Sequence, residues 1–160
     1  MKLPTIYESV YYQEARDNRY TVRDIDNCEC SEDEYDESHE EFNFVKTRIR
    51  FLRQNLRRAL NRGIESQIVK IDADYCFEIG ESQNWECALT GDELEFTRGG
   101  TYWLGKWCNP RSCTIDRIDS SKGYIEGNIQ LITWEANCIK QHMDNQDFIE
   151  FCKAVADHNN

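Results

Sequence analysis

The stretch from Ser112 to Lys140 reads SCTIDRIDSSKGYIEGNIQLITWEANCIK, and it decides the fold that we predict. An Asn-Pro turn precedes it, and the pattern predicts a strand over Ser112 to Ile118. A loop over Gly123 to Asn128 and a shorter strand over Ile129 to Ile132 follow. The next residues, which include Asn137, predict a helix. The stretch therefore predicts two strands followed directly by a helix.

Polar residues recur at fixed places in this stretch. Asp116 and Arg117 lie at the end of the first strand, Asn128 precedes the second strand, and Asn137 and Lys140 lie one turn apart on the helix. Each feature alone has an ordinary structural explanation: an ion pair, a tight turn or a solvated helix face. Their order and spacing together indicate a functional site.

The segment from Cys87 to Lys140 resembles the HNH family of nucleases, also called the His-Me or ββα-metal finger, and is most similar to a phage-type branch. Four motifs carry the resemblance: C-x-x-T-G, S-x-D-R-I-D, K-G-Y-x-x-G-N and N-x-x-K. Here Ser112 or Thr114 stands for the serine of the second motif. The resemblance implies an α+β fold, in which a ββα-metal finger with flanking helices follows an acidic N-terminal arm.

The resemblance also implies a role for each motif residue. Asp116 and Asn137 match the metal positions, and their hard oxygen ligands suit Mg²⁺ or Mn²⁺. Asn128 matches the residue that holds the loop or orients the base, and Lys140 would reach a phosphate. The implied activity is metal-dependent cleavage of DNA, in one strand or two, by a phage-encoded protein acting in the cytoplasm of its host.

One catalytic residue departs from the family pattern. The histidine that accepts a proton from the attacking water is replaced by Arg117, and a guanidinium stays protonated at any working pH. Arg117 could hold a phosphate instead. Deprotonation would then pass to Asp119, Tyr124, a metal-bound hydroxide or the substrate. His142 lies close in sequence, but we expect it to be a surface residue.

A structural zinc site is not expected. Many members of the family brace the finger with two C-x-x-C pairs, and the corresponding residues here are Cys87, Thr90, Thr133 and Ala136. The other cysteines of this region have irregular spacing and are interpreted as small buried residues, although an irregular site that includes Cys87 stays open.

Charge is unevenly distributed along the chain. The formal net charge is -11, yet residues 41–62 carry seven basic side chains and one acidic one. Apolar residues recur every three or four positions from Phe42 to Arg62, which predicts an amphipathic helix that ends at Gly63. Its polar side either pairs with acidic neighbours or contacts the DNA backbone. The residues assigned to that contact are Arg50, Arg53, Arg57 and Arg58.

Residues 1–40 form the acidic arm and carry twelve acidic side chains against four basic ones. Such a run is typical of a solvated, partly disordered segment. It could also mimic DNA, so the alternative function is an inactive finger that binds and inhibits a host nuclease or another DNA-handling protein. Cys28, Cys30 and His39 are a weaker candidate metal set. A scaffold domain without a site is a third interpretation.

The rest of the chain predicts a helix over Asp72 to Ser82, a turn at Thr90-Gly91 and a loop from Arg98 to Ser112. A last amphipathic helix over Asn145 to His158 would place Phe148, Phe151, Cys152 and Val155 on one side. The chain lacks an apolar run long enough for a membrane span, and its start is unlike a signal peptide. A cytosolic protein with reduced cysteines is expected.

Overall fold

The computed structural model describes residues 37–61, 69–103 and 106–159. The described residues fall into two units, which divide between Arg48 and Ile49. In order, the elements are α1 (Glu37–Asn61), α2 (Ala73–Ser82), β1 (Thr101–Trp103), β2 (Lys106–Cys108), β3 (Cys113–Arg117), β4 (Ile129–Thr133), α3 (Trp134–Lys140) and α4 (Asn145–Asn159). The mixture of helices and strands confirms the α+β class.

The centre of the second unit is the antiparallel pair of β3 and β4, whose register aligns Cys113 with Thr133 and Asp116 with Gln130. Every residue of β4 is buried, because helices cover the pair. The Gln83 side chain forms two hydrogen bonds with the free edge of β4 through the nitrogen and the oxygen of its amide. Nε2 donates to Leu131 O at 2.8 Å, and Oε1 accepts from Leu131 N at 2.9 Å. These bonds satisfy backbone groups that would otherwise be buried without partners.

The predicted second helix is confirmed as α2. Asp72 caps its start by accepting a hydrogen bond from Tyr75 N at 2.8 Å. Its buried residues recur at helical spacing: Ala73, Cys76, Phe77 and Gly80. Gly80 lies directly under the Trp85 ring, where a Cβ atom would come within 2.3 Å of the ring, so the close contact requires glycine.

The basic helix begins earlier than predicted, at Glu37 rather than Phe42, and it is described as far as Asn61. Acidic residues in its first turns suit the positive end of the helix dipole, which favours the earlier start. From Ile49 onward its buried residues are Ile49, Phe51, Leu52, Leu56 and Ala59. The region from residue 1 to 36, which includes most of the predicted acidic arm, lies outside the described residues.

One further prediction needs correction. The Gly- and Trp-rich segment between Arg98 and Ser112 is not only a loop, because β1 and β2 form an antiparallel pair within it. The apolar side of α4 is buried only in part: Phe148 is buried, whereas Phe151 is 54% exposed and Val155 is 47% exposed. Within the described ranges, no helix has both the length and the apolar composition needed to cross a membrane.

Candidate functional site

Asp116 lies in β3 and is withdrawn from solvent, with only 6% of its surface exposed. Alternate residues of a strand point to the same side, so Thr114 and Asp116 both face α3. The Asp116 Oδ2 atom lies 3.0 Å from Lys140 Nζ and accepts a hydrogen bond from Gln130 Nε2 at 2.9 Å. The predicted metal ligand therefore already carries a cation and an amide on one of its two oxygens.

Lys140, the last residue of α3, is fully buried. Besides its ion pair with Asp116, its ammonium donates to Arg117 O at 2.8 Å. In this structure the ammonium points into the protein, so the expected phosphate contact by Lys140 is not available. The physical reason is that a buried carboxylate needs a counter-charge, and Lys140 is the cation that reaches it.

A second pair of residues, which the sequence analysis did not identify, holds Asp116 in place from the neighbouring strand. Gln130 and Asn145 exchange two side-chain hydrogen bonds, of 2.7 and 2.8 Å, and this links β4 to the start of α4. Gln130 lies directly across the strand pair from Asp116. The glutamine in the otherwise apolar strand predicted over Ile129 to Ile132 was the available signal, since buried amides need partners.

Asn137, the second predicted metal ligand, lies on the same strand–helix interface. Its Nδ2 donates to Thr114 Oγ1 at 3.1 Å, and that hydroxyl donates to Ile132 O at 3.0 Å. Asn137 and Lys140 are three residues apart, so they share one side of α3, while Thr114 and Asp116 share one side of β3. The structure thus brings Asp116, Asn137 and Lys140 into a single interface.

The donors of this interface fit a hard divalent cation in kind. Asp116 Oδ1 and Asn137 Oδ1 accept no hydrogen bond from any described residue. Carboxylate and amide oxygens are ligands that Mg²⁺ and Mn²⁺ accept, with water or phosphate completing the shell. Groups of three or more His, Cys, Asp or Glu side chains that could share a metal are absent from the described ranges. The ammonium of Lys140 is the feature that opposes a second cation.

Arg117 points to the opposite side of β3 and fastens the loop that follows. Its Nη1 donates to Ser120 O at 2.9 Å and to Lys122 O at 3.2 Å. Its guanidinium also lies over the buried ring of Tyr124, with Cζ 5.4 Å from the ring centre. Arg117 therefore has a structural role in the loop, and its Nη2 and Nε donate to no other described residue.

Asn128 closes the same loop from its far end. Its Oδ1 accepts from Asp119 N at 3.0 Å, and its Nδ2 donates to Asp119 O at 3.1 Å and Gly123 O at 2.9 Å. Gly127, just before it, has a φ of +76°, a conformation that favours glycine. Asn128 thus holds the loop through three hydrogen bonds and takes no part in the interface around Asp116.

The groups considered as proton acceptors differ in their suitability. The pKa of Asp119 is lowered to about 2, chiefly by the hydrogen bond from the Ser121 hydroxyl and further by Lys122 at 3.0 Å. A carboxylate with so low a pKa is a weak base at neutral pH. Tyr124 is buried under Arg117, and His142 is exposed in the turn after α3.

The four positions that correspond to a zinc brace contain one thiol. Cys87 Sγ lies 3.9 Å from Thr133 Oγ1 and accepts from Thr133 N at 3.5 Å. The same Thr133 hydroxyl caps α3 by accepting from Ala136 N at 3.2 Å. One thiol with hydroxyl and methyl neighbours does not supply the nitrogen and sulfur ligands of a structural zinc site. Cys28, Cys30 and the His39 side chain lie outside the described part.

The basic surface of α1 lies opposite its buried side. Arg50, Arg57 and Arg58 are exposed, whereas Arg53 is partly buried, and its Nη1 has no hydrogen-bond partner among the described residues. Asn55 Nδ2 donates to Cys113 O at 3.0 Å, so α1 is tied to the first residue of β3. Three of the four predicted DNA-contact arginines are therefore exposed to solvent.

Comparison with known proteins adds no assignment. No protein-family model, curated protein or solved structure matches this chain significantly.

Proposed function

We propose that this protein is a metal-dependent endonuclease of the HNH type, which cleaves phosphodiester bonds in DNA. One observation carries the proposal: two strands followed by a helix bring Asp116 and Asn137 into one interface, and each side chain keeps one oxygen without a described partner. The arrangement agrees with the motif order on which the resemblance depends.

In this proposal Asp116 and Asn137 hold Mg²⁺ or Mn²⁺ through their Oδ1 atoms. A bound divalent ion would stabilise the negative charge that develops on the phosphate and on the leaving oxygen. Gln130 orients Asp116 through its hydrogen bond of 2.9 Å, and Thr114 orients Asn137 through one of 3.1 Å. These neighbours fix the two ligands before any metal arrives, which lowers the cost of assembling the site.

The arginines of the chain would hold the substrate. Arg117 retains Nη2 and Nε donors after Nη1 has bonded the loop, and guanidinium donors suit phosphate oxygens. On α1, Arg50, Arg57 and Arg58 are exposed and can neutralise phosphates further along the backbone. This local positive charge accounts for DNA binding by a chain whose net charge is -11.

The proton of the attacking water does not go to Arg117, because a guanidinium has no free lone pair to accept it. Asp119 is a weak base with a pKa of about 2, and Tyr124 is covered by Arg117. We therefore assign the proton to solvent or to an oxygen of the substrate phosphate.

The structural use of Arg117 favours a second candidate function, which is binding without cleavage. Arg117 fastens its loop and Lys140 neutralises Asp116, so both residues have structural roles that do not require catalysis. The chain would then act as an acidic protein that binds and inhibits a host nuclease or another DNA-handling protein. The N-terminal acidic arm would provide the contact surface by imitating the charge of DNA.

Nicking of supercoiled plasmid in Mg²⁺ and in Mn²⁺ separates the two candidates. The wild type should nick in at least one of the two metals, and Asn137→Ala and Asp116→Asn should be slower by about 100-fold or more. Asp157→Asn makes the same substitution at an exposed aspartate of α4. It is the matched control and should cut normally. If folded wild type cuts in neither metal, the nuclease proposal is wrong, and the binding function and the scaffold interpretation remain.

A further inference from the structure

We infer that Lys140 is a resident counter-ion of the metal site and that it competes with the divalent cation for Asp116. The inference rests on the metal site of the proposed function and concerns how that site is loaded. Its basis is the ion pair of 3.0 Å between two side chains that are both withdrawn from solvent.

Without a divalent ion, the protein must still neutralise the buried carboxylate of Asp116. A buried carboxylate without a counter-charge is strongly unfavourable. Many proteins whose metal sites are built from carboxylates are therefore less stable when the site is empty. Here Asp116 is neutralised by Lys140, and the ammonium has a second acceptor in Arg117 O at 2.8 Å. The site is therefore expected to fold fully without a divalent ion.

A divalent ion that approaches Asp116 meets the ammonium of Lys140. A divalent ion on Asp116 Oδ1 would share the carboxylate with an ammonium on Oδ2, and like charges at such short range repel strongly inside a protein. Because Lys140 is fully buried, water screens this repulsion poorly. The ammonium can weaken its contact with Asp116 and keep its bond to Arg117 O, which leaves room for both cations at reduced affinity.

Coupling between two ligands is reciprocal, so a metal that loosens the Lys140 contact is itself bound more weakly because of that contact. Lys140 thus raises the metal concentration that is needed to fill the site. The site binds Mg²⁺ at the high concentrations at which that ion is present, and it does not bind metals that are scarce. Lys140 acts in this account as a positioning residue, through Asp116, and does not touch the substrate.

Mn²⁺ binding tests the inference without any cleavage assay. The concentration of free Mn²⁺ can be followed by its electron paramagnetic resonance signal, in parallel with the melting temperature of the protein. Lys140→Met removes the charge and keeps most of the side-chain length, and Lys140→Arg, the matched control, keeps the charge. Lys140→Met should bind Mn²⁺ roughly tenfold more tightly than the wild type, and Lys140→Arg should not gain affinity.

Thermal unfolding gives an independent readout. Lys140→Met should melt lower than the wild type without metal, and saturating Mn²⁺ should recover more of its stability than it adds to the wild type. The double variant Asp116→Asn, Lys140→Met should lose this rescue, since the ligand is gone. Equal Mn²⁺ affinity in Lys140→Met and the wild type, or no rescue, would overturn the inference.

If Lys140→Met does not fold, the wild type itself supplies the test. The Lys140 ammonium resonance of protein labelled with ¹⁵N at lysine should shift as Mg²⁺ saturates the site, and an unchanged resonance at saturation would overturn the inference. These readouts are separate from nicking. Tighter metal binding by Lys140→Met in a protein that never cuts would sustain the inference and refute the nuclease proposal.

Discussion

The Asp116 carboxylate and the Lys140 ammonium lie 3.0 Å apart across the interface of β3 and α3, and both are buried. This relationship joins the end of the first strand to the end of the helix that follows the second strand. It places a charge of each sign at the centre of the candidate site, so its energetics bear on both stability and function.

Breaking this ion pair on one side should be costly. We predict that Lys140→Met lowers the free energy of unfolding by about 3–5 kcal/mol in the absence of metal, because it leaves a buried carboxylate without a counter-charge. The double variant Asp116→Asn, Lys140→Met should be considerably more stable than Lys140→Met alone. Urea unfolding measures both, and Lys153→Met, at an exposed lysine of α4, should change stability by about 0.5 kcal/mol or less. Additive effects of the two substitutions would contradict the pairing.

Acid should remove the contribution that Asp119 makes to the stability of the fold. Its pKa is about 2 in the folded protein, compared with an ordinary value of 3.8, so the ionised carboxylate stabilises the fold above that ordinary value. The stabilisation is lost as the pH falls through the folded pKa. We therefore predict that the stability difference between the wild type and Asp119→Asn is constant above about pH 5 and shrinks from pH 4 toward pH 2. Urea unfolding across this range checks it, and a difference that grows on acidification would be the wrong sign.

A methyl group at residue 80 should damage the core. In Gly80→Ala the new Cβ would lie 2.3 Å from a carbon of the Trp85 ring. We predict a net loss of about 1–3 kcal/mol, although alanine favours a helix over glycine. Gly99→Ala, whose Cβ would meet no atom within 4 Å, is the matched control and should be nearly neutral. Equal stability of the two variants would show that the ring yields at little cost.

The salt dependence of DNA affinity should show whether the basic surface of α1 contacts DNA. With a fluorescent DNA duplex in EDTA, we predict that Arg57→Gln and Arg58→Gln each weaken binding and each reduce the slope of log affinity against log salt by about 0.9. Both arginines are exposed, so the substitutions should leave the fold intact. Lys153→Gln on α4 serves as the control of equal charge change. Unchanged slopes in both arginine variants would exclude these residues from the DNA contact.

The sequence predicted the central elements well because their signals are local. The strand that ends at Arg117, the strand after Asn128 and the helix α2 follow from alternation, turn residues and helical spacing. The pair β1 and β2 was missed because glycines surround it and mask the strand pattern. Local rules do not specify which strands of three residues will pair.

The sequence predicted less well which way a side chain points and what covers it. Helical spacing showed that Asn137 and Lys140 share a side of α3, but spacing does not tell whether a lysine points to solvent or to a buried carboxylate. The inward turn of Lys140 depends on Asp116, which is 24 positions away in the sequence. The same limit explains α4, where the apolar side is periodic yet Phe151 and Val155 are exposed. Periodicity predicts a helix and its apolar side, and tertiary contacts determine what covers that side.

The most direct test of the account is to locate a divalent ion on the protein. Mn²⁺ added in small amounts to ¹⁵N-labelled protein broadens the amide resonances nearest to it. We predict selective broadening at the end of β3 and along α3, centred on Asp116 and Asn137 and abolished by Asn137→Ala. Broadening centred elsewhere, or none at saturating Mn²⁺, would contradict the claim that these two residues form a metal site.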